Sequence, residues 1–163
     1  MDSLYLLSFL LTADRQKAEQ CFLSGLEESV SNNVVFMERA HLWARRSIIL
    51  QAIRLLCPRL SDKNESNEAR FLLLNGKVPA EVRRYPNIAY IVGLNSFQRF
   101  VFTMSVLEKY SIQECSLLLG CFRRDVSRAR TAAIRHLASV VIGTETHPAR
   151  AVTAFSGVNY ANR

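Results

Sequence analysis

Apolar residues spaced three or four positions apart run through the first 57 residues of the chain. In LYLLSFLLTADRQKAEQCFLSGLEESV they fall at Leu4, Leu7, Phe9, Leu11, Ala18, Phe22 and Leu26. This spacing predicts amphipathic helices. Thr12 or Asp14 is placed to cap a helix that begins within TADRQKAEQ. A second long helix is predicted in FMERAHLWARRSIILQAIRLLC, and it must end before Pro58 because proline cannot continue a helix interior.

The pattern changes after this proline and then returns. The polar run SDKNESNE indicates a linker, whereas ARFLLLNGKVP is apolar enough to pack on another part of the protein. Helix periodicity resumes in IAYIVGLNSFQRFVFTMSVLEKYS, and it predicts one apolar face. The members of that face are Leu94, Phe97, Val101, Met104 and Leu107.

These segments together predict an all-α fold made of two small helical domains. The first domain is expected over residues 1–57 and the second over 91–140, with residues 58–90 as the connector. The tail, 141–163, mixes small and polar residues and is expected to be mobile.

The second half contains the pattern of a helix-turn-helix. Ser111 and Glu114 have the spacing of a capping box, in which each side chain bonds the other residue's backbone N–H. A helix is therefore predicted over about 112–119, with Cys115 and Leu119 facing inward. Gly120 then falls at the turn, where a positive φ is needed.

The helix after the turn has two unlike faces. At about 100° per residue, Val126, Ala129, Ala133 and Leu137 share one side. The opposite side carries what we call the recognition stripe: Arg124, Ser127, Arg128, Thr131 and Arg135. Arg123 and Arg130 lie toward its flanks, where phosphate contacts or ion pairs are expected. Because arginine binds both phosphates and guanine, these seven residues are predicted to bind DNA; the alternative is a solvated basic face on an ordinary helical hairpin.

Composition is consistent with an anionic partner. The formal net charge is +7, the isoelectric point is about 9.6, and 49% of the residues are hydrophobic. The hydrophobic content excludes a mainly disordered chain. The excess of positive charge suits a polyanion, although charge alone does not identify one.

The composition also argues against other classes of protein. The four cysteines have no C-x-x-C spacing and lie in apolar stretches, so Cys21, Cys57, Cys115 and Cys121 are predicted to be reduced core residues of a cytoplasmic protein, with no metal site. The apolar start of the chain is too short to span a bilayer. No carboxylate pair, nucleophile motif or phosphate loop appears, and the three histidines are isolated. We therefore predict no enzyme activity, no catalytic residue and no cofactor.

One family resembles the second half of the chain. LNSFQRFVFTMSVLEKYSIQECSLLLGCFRRDVSRARTAAIRHL is similar to region 4 of bacterial RNA polymerase sigma factors of the extracytoplasmic-function type, with its E-x-A-x-L-L-G-x-x-x-x-x-V helix-turn-helix. Ser116 replaces the usual alanine. The matching residues are Leu94, Arg99, Phe102, Leu107, Tyr110, Ser111, Glu114, Leu118, Leu119, Gly120 and Val126.

The first half resembles region 2 of the same family more distantly. The matching residues there are Leu11, Thr12, Asp14, Ala18, Glu19, Trp43 and Arg46. Two stretches differ from the family. Residues 20–24, QCFLS, replace an acidic and amide-bearing stretch that grips the polymerase clamp, and SIILQAI replaces a segment that usually carries asparagine and aspartate.

The resemblance implies a transcription initiation factor that reads an upstream promoter element with its C-terminal helix-turn-helix. Its partners would be double-stranded promoter DNA, core RNA polymerase and an inhibitory anti-sigma protein. The two altered stretches support an alternative hypothesis: a divergent sigma-like regulator or protein-interaction module that no longer binds core polymerase.

Overall fold

A computed structural model describes residues 2–32, 40–58 and 88–145, and every element in these ranges is helical. The fold class is all-α, as predicted. The N-terminal helices are α1 (Asp2–Thr12), α2 (Arg15–Asn32) and α3 (Ala40–Leu56). After the second gap come α4 (Ile88–Val92) and α5 (Ser96–Phe102), which continues as a π-helical turn (Thr103–Leu107). The last two helices are α6 (Ile112–Leu119) and α7 (Arg123–Glu145).

The ends of the N-terminal helices follow local rules. The Asp14 side chain accepts a hydrogen bond from the backbone N–H of Lys17 at 2.8 Å, so Asp14 is the residue that caps α2. Ala13, between α1 and α2, has a φ of 54°. Helix α3 ends at Leu56, two residues before Pro58, as the sequence predicts.

The larger hydrophobic core draws on both halves of the chain. Leu7 and Leu11 of α1 and Ile48 of α3 belong to the same buried cluster as Phe100 of α5 and Val126 of α7. Helices α1 and α3 also contact α5 and α6, respectively. The two predicted domains therefore pack on one another through a common core, and their separation into independent domains stays a prediction.

A smaller cluster attaches α4 to α1 and the start of α2. Phe9 and Leu10 of α1 and Ala18 of α2 pack with Ile88 and Val92 of α4. This contact places the end of α4 beside the end of α1, so the backbone carbonyls of two helix C-termini come together inside the protein. Such carbonyls have no partner within their own helices.

Arg99 of α5 supplies the missing partner. Its side chain is buried, with 1% of the residue surface exposed. Its Nε donates to the Leu11 carbonyl at 3.2 Å, and its Nη1 donates to the carbonyls of Leu94 at 3.1 Å and Val92 at 3.4 Å. One guanidinium thus caps α1 and the α4 end, where the helix dipoles also favour a cation.

Two packing predictions are wrong. Leu107 was expected on the buried face with Leu94 and Phe97, but 41% of its surface is exposed. The π-helical turn takes one more residue than an α-helical turn, so Leu107 at its end is rotated away from the core. Cys57 was expected in the core and is exposed, because α3 ends at Leu56 and Cys57, with a φ of 42°, no longer follows the packed face of the helix.

The other three cysteines differ in how deeply they are buried. Cys21 and Cys115 are buried, Cys121 is half-buried, and all four thiols are free. Burial raises the pKa of the Cys21 and Cys115 thiols to about 11, which keeps them in the unreactive protonated form.

The last helix extends beyond the end of the second domain predicted from the sequence. Helix α7 continues to Glu145, five residues beyond the expected end of the second domain. Residues 146–163 and most of the predicted connector, including ARFLLLNGKVP, lie outside the described residues. Within the described part of the chain, no helix combines the length and apolar character needed to cross a membrane.

We expect Arg99→Ala to lower the free energy of unfolding by about 3–5 kcal/mol, because charge-assisted hydrogen bonds and a buried side-chain stem are lost together. Urea denaturation of the full chain, followed by circular dichroism, measures the effect. Arg99→Lys is the matched control: it keeps the charge and most of the stem but cannot place donors on both helix ends, so its loss should be intermediate. A loss below about 1 kcal/mol for Arg99→Ala would contradict the capping role.

Candidate nucleic-acid interface

The start of α6 is a capping box, as predicted. The backbone N–H and the hydroxyl of Ser111 donate to the Glu114 carboxylate at 2.8 and 2.7 Å, and the Glu114 N–H donates back to the Ser111 hydroxyl at 3.2 Å. These bonds from Ser111 hold the pKa of the Glu114 carboxyl below its ordinary value. The helix begins at Ile112 and ends at Leu119, the bounds that the sequence predicts.

The turn after α6 depends on Gly120 and Ser116. Gly120 takes the left-handed conformation, with φ 62° and ψ 35°. The Ser116 carbonyl accepts the backbone N–H groups of both Gly120 and Cys121, and the Ser116 hydroxyl donates to the Cys121 carbonyl at 2.5 Å. The serine therefore does more than provide a small side chain between the helices, since it ties the turn to α6.

Helix α7 packs through the small residues that the sequence predicts. Val126, Ala129 and Ala133 are buried, and Leu137 is half-buried. They pack against α5 and α6, which both contact α7. Small side chains let α7 approach α5 and α6 closely. The opposite face of α7 is therefore held outward at a fixed angle.

The structure leaves six of the seven predicted DNA-binding residues exposed: Arg123, Arg124, Ser127, Arg128, Thr131 and Arg135. They are exposed in the presence of α1–α3, so the N-terminal helices do not cover this face. From Arg124 to Arg135 the recognition stripe is about 16 Å long at 1.5 Å per residue. The major groove of B-DNA is about 12 Å wide and admits an α-helix, whose diameter with side chains is about 10–12 Å.

Two members of the set have constraints that the sequence does not reveal. Arg130 is half-buried, and its Nε is enclosed without a hydrogen-bond partner among the described residues. It is therefore less accessible than the other arginines. The Thr131 hydroxyl donates to the Ser127 carbonyl at 3.0 Å, so Thr131 offers a methyl group and an acceptor oxygen rather than a free donor.

The positive charge of this face is not neutralised within the described part of the protein. Five arginines and one aspartate lie between residues 123 and 135. Among the described residues no salt bridge involves any of these arginines, whereas Arg15, Arg45 and Arg54 each pair with a glutamate. Uncompensated arginines on one helix face produce a local positive potential that attracts an anion.

An ion pair joins the N-terminal helices to the segment that precedes α6. The Arg45 guanidinium of α3 donates to both carboxylate oxygens of Glu108, with its Nε 2.6 Å from Oε2. The Glu108 side chain is almost fully buried, and the hydrogen bond from Arg45 raises the pKa of that guanidinium. Buried bidentate pairs of this kind fix geometry well.

A cleft of about 600 Å³ opens beside this ion pair. It separates the start of α3 from the segment that leads into α6, so it lies at the joint between the two halves. Both of its carboxylates already have partners, Glu108 in the ion pair and Glu114 in the capping box. The lining residues are His41, Leu42, Arg45, Arg46, Leu107, Glu108, Lys109, Tyr110 and Glu114.

No group of three metal-ligating side chains occurs within the described ranges. His41 lies exposed on α3, and His136 lies exposed within α7 rather than at its end, because the helix continues to Glu145.

Phe122 is an exposed apolar residue that sequence reasoning missed, whereas Leu23 belongs to a stretch that the sequence had already singled out. Phe122 lies directly before α7, and Leu23 lies on α2 in the stretch that differs from the sigma family; they are 78% and 58% exposed. An available signal for Phe122 was an aromatic residue between the turn glycine and the arginines. Leu23 falls between Cys21, which is buried, and the next turn of α2, so its outward direction was readable only from a correct helix phase.

The chain matches no protein-family model, no curated protein and no solved structure.

We expect Gly120→Ala to lower the free energy of unfolding by about 1 kcal/mol, because alanine disfavours the left-handed conformation. An added Cβ would meet no atom within 4 Å, so the cost is conformational and not steric. Gly120→Asn, which tolerates this conformation better, should cost less in the same urea titration. An asparagine variant as unstable as the alanine variant would contradict this explanation.

Proposed function

We propose that the protein is a DNA-binding transcription initiation factor of the sigma type, which reads an upstream promoter element through its helix-turn-helix. The observation that carries the proposal is the recognition stripe on α7. It is exposed and free of internal ion pairs among the described residues. It also lies opposite a buried face of small residues, on a helix that follows a left-handed glycine turn.

Each residue of this face has a role in the proposal. Arg124, Ser127 and Arg128 lie near the start of α7, which is the part of a recognition helix that contacts base edges. Arg123 and Arg135 would contact phosphates, which fix the position of the protein along the duplex. Thr131 offers its methyl group to an apolar contact. Arg130 is the least suited to a direct contact because its guanidinium is partly enclosed.

The first experiment tests the reading of bases. After in vitro selection of a preferred duplex from random DNA, Arg128→Ala should weaken binding to that duplex by about 1–3 kcal/mol in a mobility-shift titration and relax the preference at one position. Lys17→Ala is the matched control, since Lys17 is exposed on α2 and its loss removes the same charge. An equal effect of the two substitutions would reduce the proposal to non-specific electrostatic binding.

A second candidate function rests on α2. In QCFLS the side chains of Cys21 and Phe22 face the core and Leu23 is exposed, so this turn presents one apolar side chain where the sigma family has polar groups. An apolar side chain does not reproduce directed polar contacts to polymerase, which favours a partner other than core polymerase. The candidate is a divergent sigma-like regulator that retains DNA binding and has lost core polymerase.

Retention on immobilised core RNA polymerase at low salt separates the two candidates. The initiation factor should be retained, and Leu23→Glu should reduce its retention if α2 forms the contact, while Lys17→Glu on the same helix reverses a charge without altering the apolar surface. DNA binding without retention at low salt would favour the divergent regulator. The inhibitory anti-sigma partner stays a prediction of the resemblance.

A further inference from the structure

Phe122 occupies a position that ordinarily holds a small polar residue. Its carbonyl accepts the first backbone bonds of α7, from Asp125 at 2.9 Å and Val126 at 3.2 Å, which makes it the N-cap residue. Serine, threonine, aspartate and asparagine are preferred there because their side chains bond the free N–H groups of the first turn. Phenylalanine has no oxygen with which to do so. The Phe122 side chain therefore makes no capping hydrogen bond.

The ring is also left in solvent. Phe122 is 78% exposed. By helical angle alone it would fall on the buried side with Val126 and Ala129. It precedes the helix, however, and its side chain lies beyond the end of the packed face. Positions at which a residue breaks both a capping preference and a burial preference are often functional.

The residues next to the Phe122 ring favour one kind of partner. The next two residues are the exposed Arg123 and Arg124, and the recognition stripe continues along the same helix. In the proposed function, the leading end of α7 enters the major groove, where the N-terminal residues of a recognition helix meet base edges. The apolar group that this groove presents is the C5-methyl of thymine, and phenylalanine is among the side chains that contact it.

We propose that Phe122 reads a thymine in the bound DNA by packing its ring against the C5-methyl group. This inference rests on the proposed function, because it requires α7 to lie in the major groove. It adds a specificity contact outside the recognition stripe, and one that depends on an apolar surface rather than on charge.

Replacement of thymidine by deoxyuridine tests the contact, because the two nucleosides differ only by this methyl group. In the selected duplex, each thymine is replaced in turn and binding of the full chain is measured by mobility shift. Burial of one methyl group corresponds to about a fourfold change in affinity. We expect one position at which deoxyuridine weakens binding of the unaltered protein by about that factor.

Variants then assign the effect to a side chain. Phe122→Ala should bind the thymine and deoxyuridine duplexes equally at that position, and Phe122→Leu should keep part of the difference. Leu117→Ala is the matched control, since Leu117 is 73% exposed on the neighbouring helix α6; it should keep the full difference. The expected signature is therefore loss of methyl discrimination in Phe122→Ala alone.

Several results would overturn the inference. Unchanged binding of the unaltered protein after replacement at every thymine contradicts a methyl contact. Retention of the full difference by Phe122→Ala assigns the methyl group to another residue, such as Thr131. Loss of core polymerase retention in both Phe122→Ala and Leu117→Ala, with methyl discrimination unchanged, assigns the ring to a protein surface. Absence of any preferred duplex would instead remove the proposed function itself.

Discussion

A buried cation holds the described parts of the chain together. Arg99 places one guanidinium against the last carbonyl groups of α1 and the α4 end, and a charge at this depth is tolerated only when its donors are occupied. The buried carbonyl groups in turn need hydrogen-bond donors, and Arg99 supplies them. Helix α5 is thereby fixed against α1, and α7 packs on α5. The direction of the recognition stripe therefore depends on the hydrogen bonds that Arg99 of α5 makes with α1 and the end of α4.

The helix-turn-helix could be predicted because its determinants are local. Ser111, Glu114 and Gly120 act within a few residues of one another, and their bonds in the structure are those that the spacing indicates. The outward face of α7 follows from the same periodicity. Arg130 is the exception, since its Nε is enclosed and the helical periodicity does not indicate this.

The features that escaped prediction are non-local or depend on backbone phase. Arg45 and Glu108 are 63 positions apart, and nothing in either neighbourhood indicates the other. The partners of Arg99 lie in two further segments, so the resemblance of its own segment to region 4 gave no role for its charge. Leu107 was misplaced because a regular α-helix was assumed where the chain forms a π-helical turn. Phe122 was overlooked because it belongs to neither helix pattern.

The π-helical turn sets the orientation of the helices that follow it, α6 and α7. The Glu108 backbone N–H donates to the Thr103 carbonyl, five positions earlier, at 2.9 Å, so the turn holds one residue more than an α-helical ladder needs. Removal of one residue between 103 and 107 would restore the regular ladder. Everything after it would then turn by about 100° around the axis of α5. Glu108 would then no longer reach Arg45, and α7 would take a different direction. The number of residues in this turn therefore sets the orientation of α7 as much as any side chain does.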